Sequence, residues 1–161
     1  MERFIWNRFW ISKNLLANIL SGYAPRPSFT HSIIEKDMNK FFIQSGAILA
    51  GLSIALGAFG SHALKEFLEA NHRVDTFETA ARYQMYGALS LILTGIIMAN
   101  FPDKLLHWAG NAFLFGTIIF AGSLYLICAT GVTMWGAVAP IGGAGLMLGW
   151  ILFISGIRRN M

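Results

Sequence analysis

The residue of this sequence best suited to carry a proton or to bind a metal ion is His62, at the end of a long apolar stretch. In residues 57–66, GAFGSHALKE, small and apolar side chains lead up to His62, and the first charges follow at Lys65 and Glu66. One histidine without a cysteine or a carboxylate pair nearby is a weak metal site, so we predict no metal. We interpret His62 as a hydrogen-bonding group at a helix end, with a proton-carrying or ligand-binding role as the alternative.

Three further segments place polar or conformationally special residues between apolar runs: Arg82-Tyr83-Gln84, Ser123 with Tyr125 in AGSLY, and Pro140 in APIGG. Arg82 follows Glu78 by four residues, a spacing that predicts an exposed ion pair on a helix. Contact with an anion or a lipid headgroup is the alternative for Arg82. Tyr83 and Gln84 are predicted to hydrogen-bond between helices rather than to bind a ligand. Their expected partners are Ser123 and Tyr125.

Three uncharged runs determine which elements can hold these residues in place. Only 12% of the 161 residues are charged, about half the ~25% that is usual in soluble domains. Residues 41–61, 83–102 and 105–157 contain no Asp, Glu, Lys or Arg. A transmembrane helix needs about 20 apolar residues, so the last run fits two crossings joined at TGVT. The sequence predicts an all-α fold, a four-helix transmembrane bundle with spans at about 41–60, 76–100, 105–129 and 134–156.

A short amphipathic helix is predicted between the first two spans. Its apolar stripe includes Phe67 and Leu68, while Lys65, Glu66 and Glu69 lie on the other side, a pattern typical of a helix on the membrane surface. The second long helix is expected to begin near Thr76, because Asp75 with Glu78 has the spacing of a capping box.

Small residues predict where the helices approach each other closely, because they let backbones touch within the bilayer. The glycines expected at helix contacts are Gly51, Gly57, Gly60, Gly142, Gly143, Gly145 and Gly149. Pro140 lacks a backbone donor, so it is expected either to bend the fourth helix or to end a short first turn.

The chain is predicted to divide into an N-terminal extension of residues 1–37, a four-span membrane domain of residues 38–157 and a cytoplasmic tail of residues 158–161. The extension has several interpretations. It could precede a true start at Met38, form an amphipathic surface helix or a disordered segment, or act as a targeting presequence.

Lysine and arginine beside the spans indicate the orientation. Nine of them lie on the side of the two termini, and three, Lys65, Arg73 and Arg82, lie on the other. We therefore predict a multi-pass protein of the plasma (inner) membrane with both termini in the cytoplasm and residues 61–75 and 130–134 outside. A presequence would indicate an organellar membrane instead. In this topology the polar segments of the first two paragraphs would meet in one cluster on the outer side, formed by His62, Arg82, Tyr83, Gln84, Ser123, Tyr125 and Pro140.

At these same segments the chain resembles the domain-of-unknown-function 423 (DUF423) family of small membrane proteins, which is related to the metazoan transmembrane protein 256. The family pattern looks like GAFGAHAL, YQ with a histidine three residues later, SGSLY, TPxGG and GW. The corresponding segments here are GAFGSHAL at 57–64, Tyr83-Gln84, AGSLY at 121–125, APIGG at 139–143 and Gly149-Trp150. Gly87 stands where many relatives have the histidine, so a two-histidine site is not predicted. The resemblance implies a fold and a membrane location without an activity.

The sequence favours a binding protein over an enzyme or a transporter. It contains no GxSxG, HExxH or nucleotide-binding loop, and no charged residue lies deep in a span, where ion paths usually carry one. We predict a small scaffold or accessory protein without cofactors that binds lipid or another membrane protein, with a second copy of the chain as a further partner. Nucleic acid is not expected, because the basic residues flank the spans. The alternative is an oligomeric transporter or channel for protons or small solutes, with His62 at its outer mouth.

Overall fold

The computed structural model describes the backbone of residues 29–160 and the side chains of residues 39–160, and these residues contain helices and no β-strand. The chain divides into two units, Met1–Ile34 and Glu35–Met161, and the bundle described below belongs to the second. The interpretations given above for residues 1–37 depend mainly on residues 1–28, and these lie outside the described residues. An all-α membrane bundle is therefore the fold of the described chain.

Four long helices and one short α-helix follow each other along the described chain, with a 3-10 helix before the last. They are α1 (Phe29–Ser61), α2 (Lys65–Ala70), α3 (Val74–Asn100), α4 (Lys104–Thr130), the 3-10 helix Thr133–Ala137, and α5 (Ala139–Asn160). The helix α1 begins twelve residues before the predicted span, because residues 29–40 contain no glycine or proline to interrupt it.

The start of α3 differs from the prediction of a capping box at Asp75. The helix begins at Val74, and Arg73 occupies the N-cap without a side-chain hydrogen bond to the helix. The reason is the tight turn after α2, in which His72 adopts a left-handed conformation with a φ of 53°. The Arg73 N–H then donates to the carbonyl of Leu68 at 2.8 Å. This turn aligns the chain for helix formation before Asp75 is reached.

Pro140 lies in the first turn of α5, which begins at Ala139. The preceding 3-10 helix ends at Ala137. Two effects were expected of Pro140, a bend in the long helix or the end of a short first turn. The structure has the second, because the 3-10 helix ends before the long helix starts. A proline is tolerated there because the first N–H groups of a helix have no acceptor within the helix.

The helix α4 lies against the three other long helices. The ring of Phe42 on α1 contacts Gly110, the Tyr83 ring on α3 packs on Phe120 with 4.9 Å between centroids, and much of α5 packs along α4. The main core combines residues of all four helices, namely Phe42, Leu91, Met98, Leu106, Ala109, Phe113 and Phe153. A smaller cluster of Leu68, Phe77 and Cys128 closes the bundle at the α2 end.

Three segments of the described chain are long and apolar enough to cross a membrane, Asn39–Ser61, Lys104–Thr130 and Thr133–Asn160. The helix α3 is not among them, although it has 27 residues, because glycine, Gln84 and hydroxyl residues interrupt its apolar run. The face of α3 that points away from the bundle nevertheless exposes large apolar side chains such as Leu89 and Ile96. The crossing of the membrane by α3, and the surface position of α2, stay predictions.

Candidate functional site

Gln84 lies deep in the bundle and far from His62. Its Nε2 donates a hydrogen bond of 2.8 Å to the carbonyl of Leu49, and Leu49 lies twelve residues before the end of α1. At 1.5 Å per residue this corresponds to about 18 Å along the helix. His62 follows the last residue of α1 and is exposed. The structure therefore does not form the predicted outer cluster, because Gln84 sits ten residues into α3 on the face that meets α1.

Ser123 and Tyr125 do not contact Gln84 either. The Ser123 hydroxyl donates to the carbonyl of Phe120 in its own helix at 2.8 Å. The Tyr125 ring packs edge-on against Phe77, with 5.1 Å between the ring centroids. Its hydroxyl is buried without a hydrogen-bond partner among residues 39–160. The two residues are two positions apart on α4 and therefore lie on different faces of that helix.

Two side-chain hydrogen bonds join residues 39–61 of α1 to α3. Besides the bond from Gln84, the Ser53 hydroxyl donates to the carbonyl of Ala81 at 2.7 Å, and Ser53 is buried. Between helices in a bilayer such bonds contribute about 0.6 kcal/mol on average. They determine the register of the two helices more than they add to stability. Arg82 and Tyr83, the neighbours of Gln84, point away from this seam and are exposed.

Four of the seven glycines expected at helix contacts lie where a Cβ would meet another helix at short range. A Cβ at Gly60 would lie 2.6 Å from the Phe77 ring, one at Gly149 would lie 2.6 Å from the Phe113 ring, and one at Gly145 would lie 3.2 Å from the Cα of Gly116. At Gly142 it would overlap the backbone of Phe120. These glycines allow α5 to lie against α4, and the end of α1 against α3.

The remaining three glycines have room around them. A Cβ at Gly143 would make an ordinary contact of 3.7 Å with Phe120, and at Gly51 or Gly57 it would meet no atom within 4 Å. The expectation of close packing at Gly51 and Gly57 is therefore wrong. The reason is the rotation of α1, which directs Gly46 at α3 instead, where a Cβ would lie 2.6 Å from Cγ1 of Ile92.

Gly46 was missed as a contact residue, because the sequence alone does not show which face of α1 is the inner one. Gly46 and Ser53 are seven residues apart and so share one face of α1, and the buried hydroxyl of Ser53 marks that face as the inner one. Glycines whose contacts were also missed are Gly87, Gly95, Gly110, Gly116 and Gly156.

Gly87 is matched to Thr117 across the contact of α3 with α4. The Thr117 hydroxyl occupies the space in which a side chain at position 87 would begin, and the Cβ of Thr117 would lie 2.9 Å from a Cβ there. The same hydroxyl donates to the carbonyl of Phe113. A histidine at this position would therefore require Thr117 to move, which accounts for glycine in this chain.

A groove of about 570 Å³ lies at the end of the bundle where α1, α2 and the first turns of α3 meet, and we call it the end groove. A Cβ at Gly57 would meet no atom within 4 Å, so this lining residue has open space beside it, and buried Leu68 and Phe77 form part of the apolar floor. The remaining lining residues are Gly60, Ser61, Lys65, Glu69, Val74, Glu78, Ala81 and Arg82. Of the predicted site residues, Arg82 borders this groove, whereas His62 and Pro140 do not.

Two ion pairs form the polar rim of the end groove. Nζ of Lys65 lies 3.9 Å from a carboxylate oxygen of Glu69 on α2. On α3, a guanidinium nitrogen of Arg82 lies 3.7 Å from a carboxylate oxygen of Glu78, as the sequence spacing predicted. Both distances exceed the ~2.7–2.9 Å of a charge-assisted hydrogen bond. The four side chains therefore keep donors and acceptors available for a ligand.

A second groove, of about 490 Å³, runs between α3 and α5 over α4. Its walls are mainly aromatic, with Tyr83, Tyr86 and Trp150, and Gly87 and Gly143 lie among its lining residues. It has no charged residue in its lining. Such a surface fits hydrocarbon of any source and carries no chemical selectivity of its own.

Within residues 39–160, no three His, Cys, Asp or Glu side chains lie close enough together to hold a metal ion. Cys128 is buried, and its Sγ lies 3.8 Å from the carbonyl of Arg73. The chemistry available in the described bundle is therefore that of charge pairs and hydrogen bonds around an apolar floor.

Comparison with known proteins gives a family and several bacterial relatives. The family described as "Protein of unknown function (DUF423)" matches residues 56–143. A UPF0382 membrane protein of Staphylococcus saprophyticus is 38% identical over 117 residues, which cover 73% of this chain and 96% of the relative. The UPF0382 inner membrane protein YgdD of Escherichia coli is 29% identical over 121 residues, 75% of this chain and 92% of the relative. No solved structure matches. The relation to transmembrane protein 256 stays a prediction.

Proposed function

Because this chain belongs to the DUF423 family of membrane proteins, and because its bundle carries an end groove, we propose that it is a small accessory protein that binds a membrane lipid. It acts in the inner membrane, as the name of its Escherichia coli relative suggests for that protein. It has no catalytic activity of its own. The lipid lies with its headgroup against the rim of the end groove and its glycerol and upper acyl chains on the apolar floor.

The observation that carries this proposal is the composition of the end groove. Its floor is apolar, with Leu68 and Phe77, and its rim is charged, with Lys65 and Arg82 among others. The groove also lies where the apolar length of α1 ends and the next charges along the chain, Lys65 and Glu66, follow, which is the expected depth of lipid headgroups. Its volume of about 570 Å³ falls within the range of small-molecule sites, roughly 300–1,000 Å³.

Hydrogen bonding inside the bundle supports a binding role over the transport alternative. Buried Thr94 and Thr117 donate to carbonyls of their own helices at 2.8 and 2.6 Å. Ser53 and Gln84 donate to carbonyls across the seam of α1 and α3. Polar groups that line a solute path need to exchange partners with the solute, whereas these hydroxyls and this amide already have partners.

The test compares two glycines of α1 that both have open space around them. A Cβ at Gly57 or at Gly51 meets no atom within 4 Å, so leucine at Gly57 extends from the lining of the end groove, and leucine at Gly51 adds the same volume away from the groove. The full chain and both variants are purified in mild detergent, and the retained lipids are measured by native mass spectrometry. We expect the full chain and Gly51→Leu to retain lipid and Gly57→Leu to lose it. Equal retention by the two variants, or no lipid on the full chain, would overturn the proposal.

A further inference from the structure

The rim of the end groove carries two positive and two negative side chains, arranged as one cation and one anion on each side. Lys65 and Glu69 stand one turn apart on α2, and Glu78 and Arg82 stand one turn apart on α3. All four belong to the lining of the groove, so the charges that line it cancel. A ligand that pairs with both the cations and the carboxylates of this rim carries both signs of charge.

The four rim side chains are available to such a ligand. Each has between 57% and 61% of its side-chain surface exposed. The charged atoms within a pair lie 3.9 Å apart in Lys65–Glu69 and 3.7 Å apart in Glu78–Arg82. Exposed pairs of this kind contribute little to stability, so exchanging their contacts for contacts with a ligand costs little. The nearby Ser61 hydroxyl already donates its proton to the carbonyl of Gly57, which leaves only its neutral oxygen as an acceptor. The cations and carboxylates are therefore the groups that select the ligand.

We infer that the lipid bound in the end groove is zwitterionic, with a phosphate and a primary ammonium in its headgroup, as in phosphatidylethanolamine. This inference rests on the proposed function, because it concerns the lipid in that same groove. The phosphate accepts hydrogen bonds from Arg82 or Lys65, and guanidinium suits phosphate in particular. The ammonium donates to the carboxylate of Glu69 or Glu78.

The same rim disfavours the two other common headgroup types. An anionic headgroup such as that of phosphatidylglycerol can set its phosphate against Arg82 or Lys65, but it has no ammonium to take the place of that cation beside Glu69 or Glu78. A choline headgroup cannot donate hydrogen bonds, and proteins bind it mainly over aromatic faces. Among the described side chains, Phe77 is the one aromatic residue that lines the groove, and it is buried with 6% exposure.

The apolar floor points to a lipid rather than to a free headgroup. Gly57, Gly60, Leu68 and Ala81 give the groove an apolar surface that phosphoethanolamine alone would leave uncovered. Acyl chains cover it, and burial of this apolar surface adds to the binding energy. A lipid should therefore bind more tightly than its soluble headgroup.

The experiment measures binding of lipids with identical short acyl chains to the full chain, by native mass spectrometry in detergent. The probes are phosphatidylethanolamine, phosphatidylcholine and phosphatidylglycerol, with phosphoethanolamine as the headgroup alone. The two lipids share the phosphate contact and differ in the ammonium contact, and one exposed charge contact contributes at most about fivefold, so we expect phosphatidylethanolamine to bind about three- to fivefold more tightly than phosphatidylglycerol. The variant Glu69→Gln/Glu78→Gln should lose this preference. Glu66→Gln, an acid of α2 outside the groove lining, should keep it.

The outcomes separate this inference from the proposed function. Lipid that is lost in Gly57→Leu but shows no preference for phosphatidylethanolamine would overturn the inference and leave lipid binding intact. An equal preference in the double variant and the parent chain would also overturn it. Binding of phosphoethanolamine as tightly as the lipid would show that a soluble zwitterion is the ligand. Lipid binding that Gly57→Leu does not affect would overturn the proposed function itself.

Discussion

The side-chain amide of Gln84 donates a 2.8 Å hydrogen bond to the carbonyl of Leu49 and thereby links α3 to the middle of α1. Gln84 is buried, with 4% exposure. The amide therefore holds α1 and α3 together inside the bundle and does not belong to a site at the membrane surface. Its contribution can be measured against a second glutamine of the chain.

Replacing Gln84 by leucine should lower the free energy of unfolding by about 0.6 kcal/mol and by no more than about 1.7, the range measured for hydrogen bonds between helices in a membrane. The carbonyl of Leu49 can still accept within its own helix, so no buried group loses its last partner. Chemical unfolding in mixed micelles measures the change. Gln44→Leu is the control, since Gln44 is exposed, and a loss of the same size there would contradict the role of the Gln84 bond.

Gly46→Leu should destabilise the chain far more than Gly51→Leu. A Cβ at Gly46 would lie 2.6 Å from Ile92 and 2.8 Å from the carbonyl of Ala88, whereas at Gly51 it would meet nothing within 4 Å. Overpacking of this kind costs about 1–3 kcal/mol. The thermal midpoint of the purified proteins in one detergent gives the comparison. Similar midpoints for the two variants would show that Gly46 does not face α3.

Gly87→Ala should destabilise the contact of α3 with α4, and Thr117→Ala should relieve part of that loss. The alanine methyl group would overlap the Thr117 hydroxyl, which Thr117→Ala removes while leaving a Cβ that must still shift slightly. Residues in direct contact show coupling energies of about 0.5–3 kcal/mol in double-mutant cycles. We expect the double variant to be more stable than the sum of the single losses predicts. Strict additivity of the two losses would argue against this contact.

The C-terminus of α5 should lie in the cytoplasm. Among residues 39–160, the bundle end opposite the end groove carries Lys40, Lys104, Arg158 and Arg159 with a single acid, Asp103. Basic residues beside spans favour the cytoplasmic side. Alkaline phosphatase fused to the C-terminus should be inactive, and green fluorescent protein fused there should fluoresce. The reverse pair of results would place the end groove on the cytoplasmic side.

The helices were predictable from the sequence, because uncharged runs and helix-ending residues are local features. Gly131, for instance, ends α4 in the left-handed conformation, with a φ of 72°. The candidate site was not predictable in the same way. The distance of Gln84 from the bundle end depends on where α3 starts, and that start follows from the turn at His72 rather than from Asp75.

Which face of a membrane helix meets its neighbours is also hard to predict, because the lipid and the protein around the helix are both apolar. Gly46 and Gly51 are the same residue type on the same helix, and only the packing against α3 distinguishes them. The ion pair of Glu78 with Arg82 was predictable from spacing alone. Its position on the rim of a groove depends on α2 folding back beside α3, which no local pattern indicates.

Phe42 has no exposed surface in the folded chain, and its ring fills the space beside Gly110 of α4. During synthesis on the ribosome, Phe42 enters the membrane long before the helix that covers it has been made. Until then the ring contacts lipid, which is tolerable because acyl chains are as apolar as its final surroundings. The first helix is therefore inserted early but completed late, and the bundle cannot close around it until Gly110 has itself been inserted.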